Sequence, residues 1–337
     1  MRRWGKKMTD KRSRETAKIS GWVLTALLTA FSAPLFAQEY PNRPLKMIIP
    51  WPAGQATDLA GRVVAQELSK ELGQPVVAEN KAGAGGTIGT DMGAKASPDG
   101  YTLTMGSSGP FTIVPLFQKT PYDPEKDFTP VAMVGLSPYN LVTAADFPAK
   151  NAAEFVALLK ANPGKYTFAS SGSGATAHLI AESFNAASGI KAVHVPYKGS
   201  VPALTDVAGG QVTYSIETAA STMPFIRNGR LKGYGVSLKD GSTVTPGQEP
   251  LAKVANIPGF DLGAWVGVLL PAGTPQPVID RLSAAIAKIM KLPEVQKQFD
   301  TIAVQVDYRN QENFKKYLKS ISQEFATVIK TNDIKVE

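Results

Sequence analysis

The stretch IIPWPAGQATDLAGRVV, Ile48–Val64, decides the fold. An apolar run stops at two prolines, passes a short Ala-Gly turn and becomes a helical pattern. Working outward, LKMIIPW (45–51) reads as a short buried strand, and TDLAGRVVAQELSKELG (57–73) as an amphipathic helix ending at Gly73. QPVVAENK (74–81) gives the next strand, GTIGTDMGAKAS (86–97) a helix, and YTLTMGSS (101–108) a third strand. This βαβαβ order predicts a doubly wound parallel sheet. A long extended stretch follows at 124–144, of the kind that crosses between lobes.

A second series comes next. Helices are expected at 151–164, 174–189 and 200–210, and strands at 165–171, 191–197, 211–217 and 231–237. An apolar strand at 264–273 leads into helices 275–290, 293–301 and 310–329. The expected class is therefore α/β, with two lobes, each a mostly parallel sheet flanked by helices. The first lobe takes 38–140 plus 262–337, and the second takes 141–261.

The chain has 337 residues, 43% of them hydrophobic, and a net charge of +8. Eight Lys/Arg and two acids fall within the first 37 residues, so the other 300 are nearly neutral. That removes the support for nucleic-acid binding. The basic segment runs into GWVLTALLTAFSAPLFA, which reads as a signal peptide at 1–37 cleaved near Ala37. There is no cysteine, hence neither disulfide nor thiolate metal site. A protein of the periplasm is expected.

Five strand-to-helix turns are small, hydroxylated and rich in glycine: AGQATD (53–58), AGAGGT (82–87), GSSG (106–109), SSGSGAT (170–176) and KGS (198–200). Such turns present unpaired N–H groups and the positive end of a helix, which hold an anion without an arginine. Thr57 and Ser200 are expected as helix caps. GSGATA (172–177) resembles a dinucleotide signature, but the following strand lacks the acid that holds a ribose. His178 and His194 are the only histidines, too few for a metal centre, and no cofactor is expected. A hydrolase built from Ser171 or Ser173 with His178 is the alternative, although no orienting carboxylate is evident.

The chain from Tyr40 to about residue 330 resembles the extracytoplasmic receptors of tripartite tricarboxylate transporters, the Bug or TctC-like receptors. The resemblance is carried by YPNRPLKMIIPWPAG, by Thr57-Asp58, and by LGQPVVAENKAGAGGTIG, SPDGYTL, PYDPEKDFTPVAMV, HVPYKGSVPALTDVAGGQV and LLPAGTP. It implies a periplasmic-binding-protein fold of the Venus-flytrap type. It also implies capture of a small carboxylate by a monomer, without metal or cofactor, and delivery to membrane permease subunits.

By the same resemblance, the first lobe would touch the ligand through Trp51, Ala53, Gly54, Gln55, Thr57, Asp58, Ser107 and Ser108. The second would use Ser171, Gly172, Ser173, Ala175, Thr176, His178, Tyr197 and Lys198. Glu217 stands where relatives commonly have Asp, on a loop facing the cleft. The chain departs from the family at Trp51 for Phe, Gln55 for Gly and Ser173 for Asn. A bulky Trp51 and a polar Gln55 point to an aromatic or dicarboxylic acid. The Ala53-Gly54 backbone is the expected general anion contact.

Overall fold

A computed structural model describes residues 40–331 together with Met1 and Ile334. The expected signal peptide lies outside the described residues. The first elements are β1 (Leu45–Ile49), α1 (Ala56–Leu72), β2 (Val76–Asn80), α2 (Thr87–Ala94) and β3 (Thr102–Ser107). A π-turn, Gly109–Ile113, runs into a short α3 (Val114–Phe117). Then come β4 (Phe128–Ser137), β5 (Tyr139–Ala144), α4 (Ala152–Lys160), β6 (Thr167–Ser170) and α5 (Thr176–Ser188). They are followed by β7 (Val193–Pro196), α6 (Ser200–Ala208), β8 (Tyr214–Thr218), α7 (Ala219–Arg227), β9 (Leu231–Val236) and α8 (Leu251–Val254). The chain closes with β10 (Ala264–Pro271), α9 (Gln276–Ile289), α10 (Pro293–Thr301), β11 (Gln305–Arg309) and α11 (Gln311–Thr331).

The strands make two sheets, ordered β11-β4-β10-β3-β1-β2 and β7-β6-β8-β5-β9. Where strand and helix alternate, pairing is parallel: β1 with β2 and β3, and β6 with β7 and β8. Strands that cross between lobes arrive without a helical crossover and pair antiparallel, as β10 does with β3 and β4 and β5 with β8 and β9. Each sheet is therefore mixed, and the parallel part is the part that holds the strand-to-helix turns.

The stretch 48–64 folds as its pattern predicts. β1 lies between β3 and the edge strand β2 and is buried at Leu45, Met47, Ile48 and Ile49. α1 packs so tightly on it that a Cβ on Gly61 would lie 2.9 Å from Ile49 Cδ1. The helix ends at Gly73, whose φ of 68° closes it in the left-handed form.

The long extended stretch is two strands, not one. Pro138 interrupts it, because proline has no N–H for the ladder. β4 serves the first sheet and β5 the second. The return crossing lies alongside: Ser237 Oγ donates to the Leu262 carbonyl and accepts from Tyr139 N. β11 was not anticipated in the sequence, since a short half-buried edge strand lacks the apolar alternation that marks a core strand.

One aromatic core runs between the sheets and includes Phe111, Phe155, Phe168, Phe184, Trp265, Phe314 and Phe325. A second, aliphatic core fills the first sheet around Met47, Ile49, Val64, Leu68 and Leu282. Together they fix the two sheets as platforms for the turns between them.

Candidate functional site

Three helices begin at one small cavity. α1 starts after Gln55, α5 after Ala175 and α7 after Thr218, and none of these residues caps its helix with a side chain. The first N–H groups of α1 and α5 therefore keep no side-chain partner there, while the first of α7, Ala219 N, donates to the Pro138 carbonyl at 2.8 Å; each helix start as a whole carries about half a positive charge. The cavity is lined by Gln55, Ala56, Thr57, Thr176 and Thr218 from these starts, and by Trp51, Ser107, Ser137, Tyr139, Ser171, Ala264 and Val266. It offers about 20 Å³ to water centres, enough for about one water molecule or the oxygens of one small head group. No ionised side chain lines it.

The cavity walls hold donors in waiting. Trp51 Nε1 donates to Ser107 Oγ at 2.8 Å, which leaves the serine proton free to donate onward. Gln55 Nε2 and Ser137 Oγ are buried without a partner. Such groups are costly in a fold unless something else satisfies them. Burial, and then the nearby Glu217, push the Tyr139 phenol well above its usual range, so it stays a donor.

Behind the first turn stands Asp58, 1% exposed. Its Oδ2 accepts from Gly54 N at 2.9 Å, and its Oδ1 from Arg62 Nε at 2.9 Å and Asn80 Nδ2 at 2.8 Å. Asn80 Nδ2 also donates to the Trp51 carbonyl. Asp58 thus braces the 51–55 turn and does not line the cavity. Ala53 and Gly54, expected as the anion contact, do not line the cavity, and the Gly54 amide is committed to Asp58.

Glu217 is not on a loop facing the cleft. It lies inside β8, fully buried. Oε1 accepts from Ser171 N at 2.9 Å, and Oε2 from Ser200 Oγ at 2.8 Å and Thr218 N at 3.1 Å. Burial raises its pKa, and those donors pull it back. Ser200 is therefore a ligand of Glu217, not a cap, and the α6 cap is Gly199; likewise the α1 cap is Gln55, not Thr57.

The remaining candidates divide. Ser108 Oγ accepts from Trp265 N, and Ala175 sits buried at the start of α5; neither lines the cavity. His178 Nδ1 accepts from Gly174 N at 3.3 Å, and its Nε2 lies 3.8 Å from Glu182 Oε1. Its acceptor nitrogen is thus taken by the backbone, and neither Ser171 nor Ser173 is hydrogen-bonded to it. The pairing of Ser171 or Ser173 with His178 is therefore not assembled; the serine–histidine contact that the structure does hold is Ser170 Oγ with His194 Nε2, at 2.7 Å, and Ser170 does not line the cavity.

Gly172, Ser173, Tyr197 and Lys198 line a wider groove of about 590 Å³. Its other walls are Pro52, the 82–86 turn, Gln118, Pro196 and Gly199, and it shares Trp51 and Ser171 with the cavity. Sequence reasoning missed Ser137, Tyr139 and Thr218. The first two flank the proline crossing, and Thr218 begins a helix straight after a strand, a signal the sequence did carry.

Two lobes with helix starts converging on a shared recess define a solute receptor of the binding-protein class, a fold found in solved periplasmic binding proteins. The chain belongs to the tripartite tricarboxylate transporter receptor family, whose model matches residues 60–334. It is 38% identical over 289 residues to the protein BugT of Bordetella pertussis, covering 85% of this chain and 87% of that one. Rpa4515 of R. palustris, solved with adipate, is 27% identical and superposes with a TM-score of 0.85, covering 88% of this chain and 99% of that one. MatC from Rhodopseudomonas palustris, solved with malate, is 31% identical with a TM-score of 0.80, covering 86% and 100%.

Proposed function

We propose that the protein captures a small carboxylate between its lobes and delivers it to the permease subunits of a tripartite tricarboxylate transporter. The carrying observation is the cavity itself: three uncapped helix starts, with Gln55 Nε2 and Ser137 Oγ unpaired beside them. A carboxylate supplies acceptors for those donors and charge for those dipoles. The rest of the acid extends past Trp51 into the groove. Adipate and malate in the two solved relatives support a dicarboxylic acid, and the Trp51 face also suits an aromatic one.

One lobe binds first, and closure adds the donors of the other; the closed form is favoured by those added contacts. The lobes are assigned to 38–140 with 262–337 and to 141–261. The protein acts in the periplasm, as a monomer, after loss of its leader. Its role in this reading is capture, as in the receptor family to which the chain belongs.

The test is calorimetry and thermal shift on the protein from Gln38 onward, against mono- and dicarboxylates, aliphatic and aromatic. An acid at a hundred times its Kd adds about 2.7 kcal/mol. For some 300 residues that raises Tm by about 4 °C. Silence across the whole panel sinks the reading.

A further inference from the structure

The two lobes meet along a seam of bare backbone. Gly85, in the 84–86 turn of the first lobe, faces the loop after β6 in the second: a Cβ on it would lie 3.3 Å from the Ser173 carbonyl oxygen. Gly199, before α6, faces the turn after β1: its Cβ would lie 3.1 Å from Pro52 Cγ and 3.2 Å from Gln55 Nε2. These separations are shorter than an optimal non-bonded contact. A peptide oxygen and a proline ring cannot swing aside as a side-chain tip can. An added methyl therefore needs the facing segment to give by a few tenths of an ångström, and where that segment is backbone or a proline ring the lobes part to supply it. Gln55 also lines the carboxylate cavity, so the width of the seam sets the width of the cavity.

We propose that Gly85 and Gly199 are closure stops, which fix how near the lobes approach and through that the size of acid the cavity accepts. The size preference rests on the carboxylate reading; the stop itself does not. Alanine at either site also strains the backbone, at φ of +63° and +121°. Gly210 supplies the control. Its φ is +71° and nothing lies within 4 Å of its Cβ position, so Gly210→Ala carries similar strain to Gly85→Ala without a neighbour.

Hydrogen exchange on the protein without added solute, and Kd values for malate and adipate, test the idea. In Gly85→Ala, exchange should rise at least threefold across the seam, at 170–176; in Gly199→Ala it should rise at 51–58. Gly210→Ala should leave both segments unchanged. Both seam variants should raise the malate Kd at least tenfold, and the Kd of the longer adipate by less. Pro52→Ala added to Gly199→Ala should restore the exchange rates, since it removes the nearest obstacle.

Unchanged exchange across the seam in Gly85→Ala overturns the proposal, as does an equal rise in Gly210→Ala. Should Gly199→Ala not fold, Gly85→Ala alone decides. Should the unaltered protein bind neither acid, the carboxylate reading fails for this pair while the exchange data still judge the stops.

Discussion

His178 and His194 stack face to face, with ring centroids 3.8 Å apart and planes 7° from parallel. They are the only histidines in the chain, and both support one loop. His178 Nδ1 holds the Gly174 amide, and His194 Nε2 lies 2.7 Å from Ser170 Oγ. The Phe168 ring lies beside the pair, 4.8 Å from His194 and 6.1 Å from His178. The loop they hold, 170–175, carries Ser171 into both the cavity and the groove.

His194 makes the fold sensitive to acid. Burial, then the neighbouring His178, push His194 down to about 3. An unfolded histidine titrates near 6.5, so below that pH the unfolded chain takes up a proton that the folded chain refuses. Stability is thus complete above about pH 6.5 and falls as the pH drops toward 3. The nearest carboxylate to the stack is Glu182, 3.8 Å from His178 Nε2, which does not touch His194. His194→Gln keeps a polar group near Ser170 but does not titrate here. Thermal melts between pH 7 and 4 should show a shallower decline for it than for the unaltered protein. Parallel curves would remove His194 from the account.

Asp58 should matter for position more than for contact. Asp58→Ala strands the Gly54 amide and frees Arg62 and Asn80 from their shared acceptor. Loss of a buried acceptor of this kind costs about 1–3 kcal/mol. Denaturant titration should register that loss. The Kd for any bound acid should rise as well, because Trp51 and Gln55 ride on the same turn. An affinity loss without a stability loss would mean that Asp58 touches the ligand after all.

Ser137 and Gln55 should behave in the opposite way. Each holds a buried atom with no partner in the protein. Ser137→Ala therefore removes nothing that stabilises the fold, and Tm should move by no more than about 1 °C. Affinity should fall about tenfold, or roughly 1.4 kcal/mol, if the hydroxyl bonds the acid. Gln55→Gly removes the side chain whose amide nitrogen is unpaired beside the cavity and should change which acids bind. A panel response identical to that of the unaltered protein would return Gln55 to the role of a loop filler.

The sequence showed the turns better than it showed which of their atoms are free. The β1–α1 unit, the glycine-rich loops and the second βα series all follow from local pattern, and they appear where the pattern puts them. What stayed hidden depends on contacts distant in the chain. Glu217 looks like any acid at the end of a strand until Ser171, 46 residues earlier, and Ser200 are seen to bond it. Asp58 sits three residues after Gln55 and reads as one more loop contact, yet Asn80 and the Gly54 amide both donate to it and hold it inward. Ser137 and Tyr139 enter the cavity only because Pro138 splits an extended run between two sheets, and no local rule says which way the flanking residues then face.

The cavity proposed to hold the carboxylate is lined by no charged side chain. Mobile ions screen a lysine or arginine at a surface over about 10 Å at 0.1 M salt. Amide dipoles and hydroxyls at hydrogen-bond range, closed off from water, leave no space for such an atmosphere. A receptor built this way keeps its affinity nearly constant whether the surrounding medium is fresh or saline, and what it loses is the long-range attraction that would speed the first encounter.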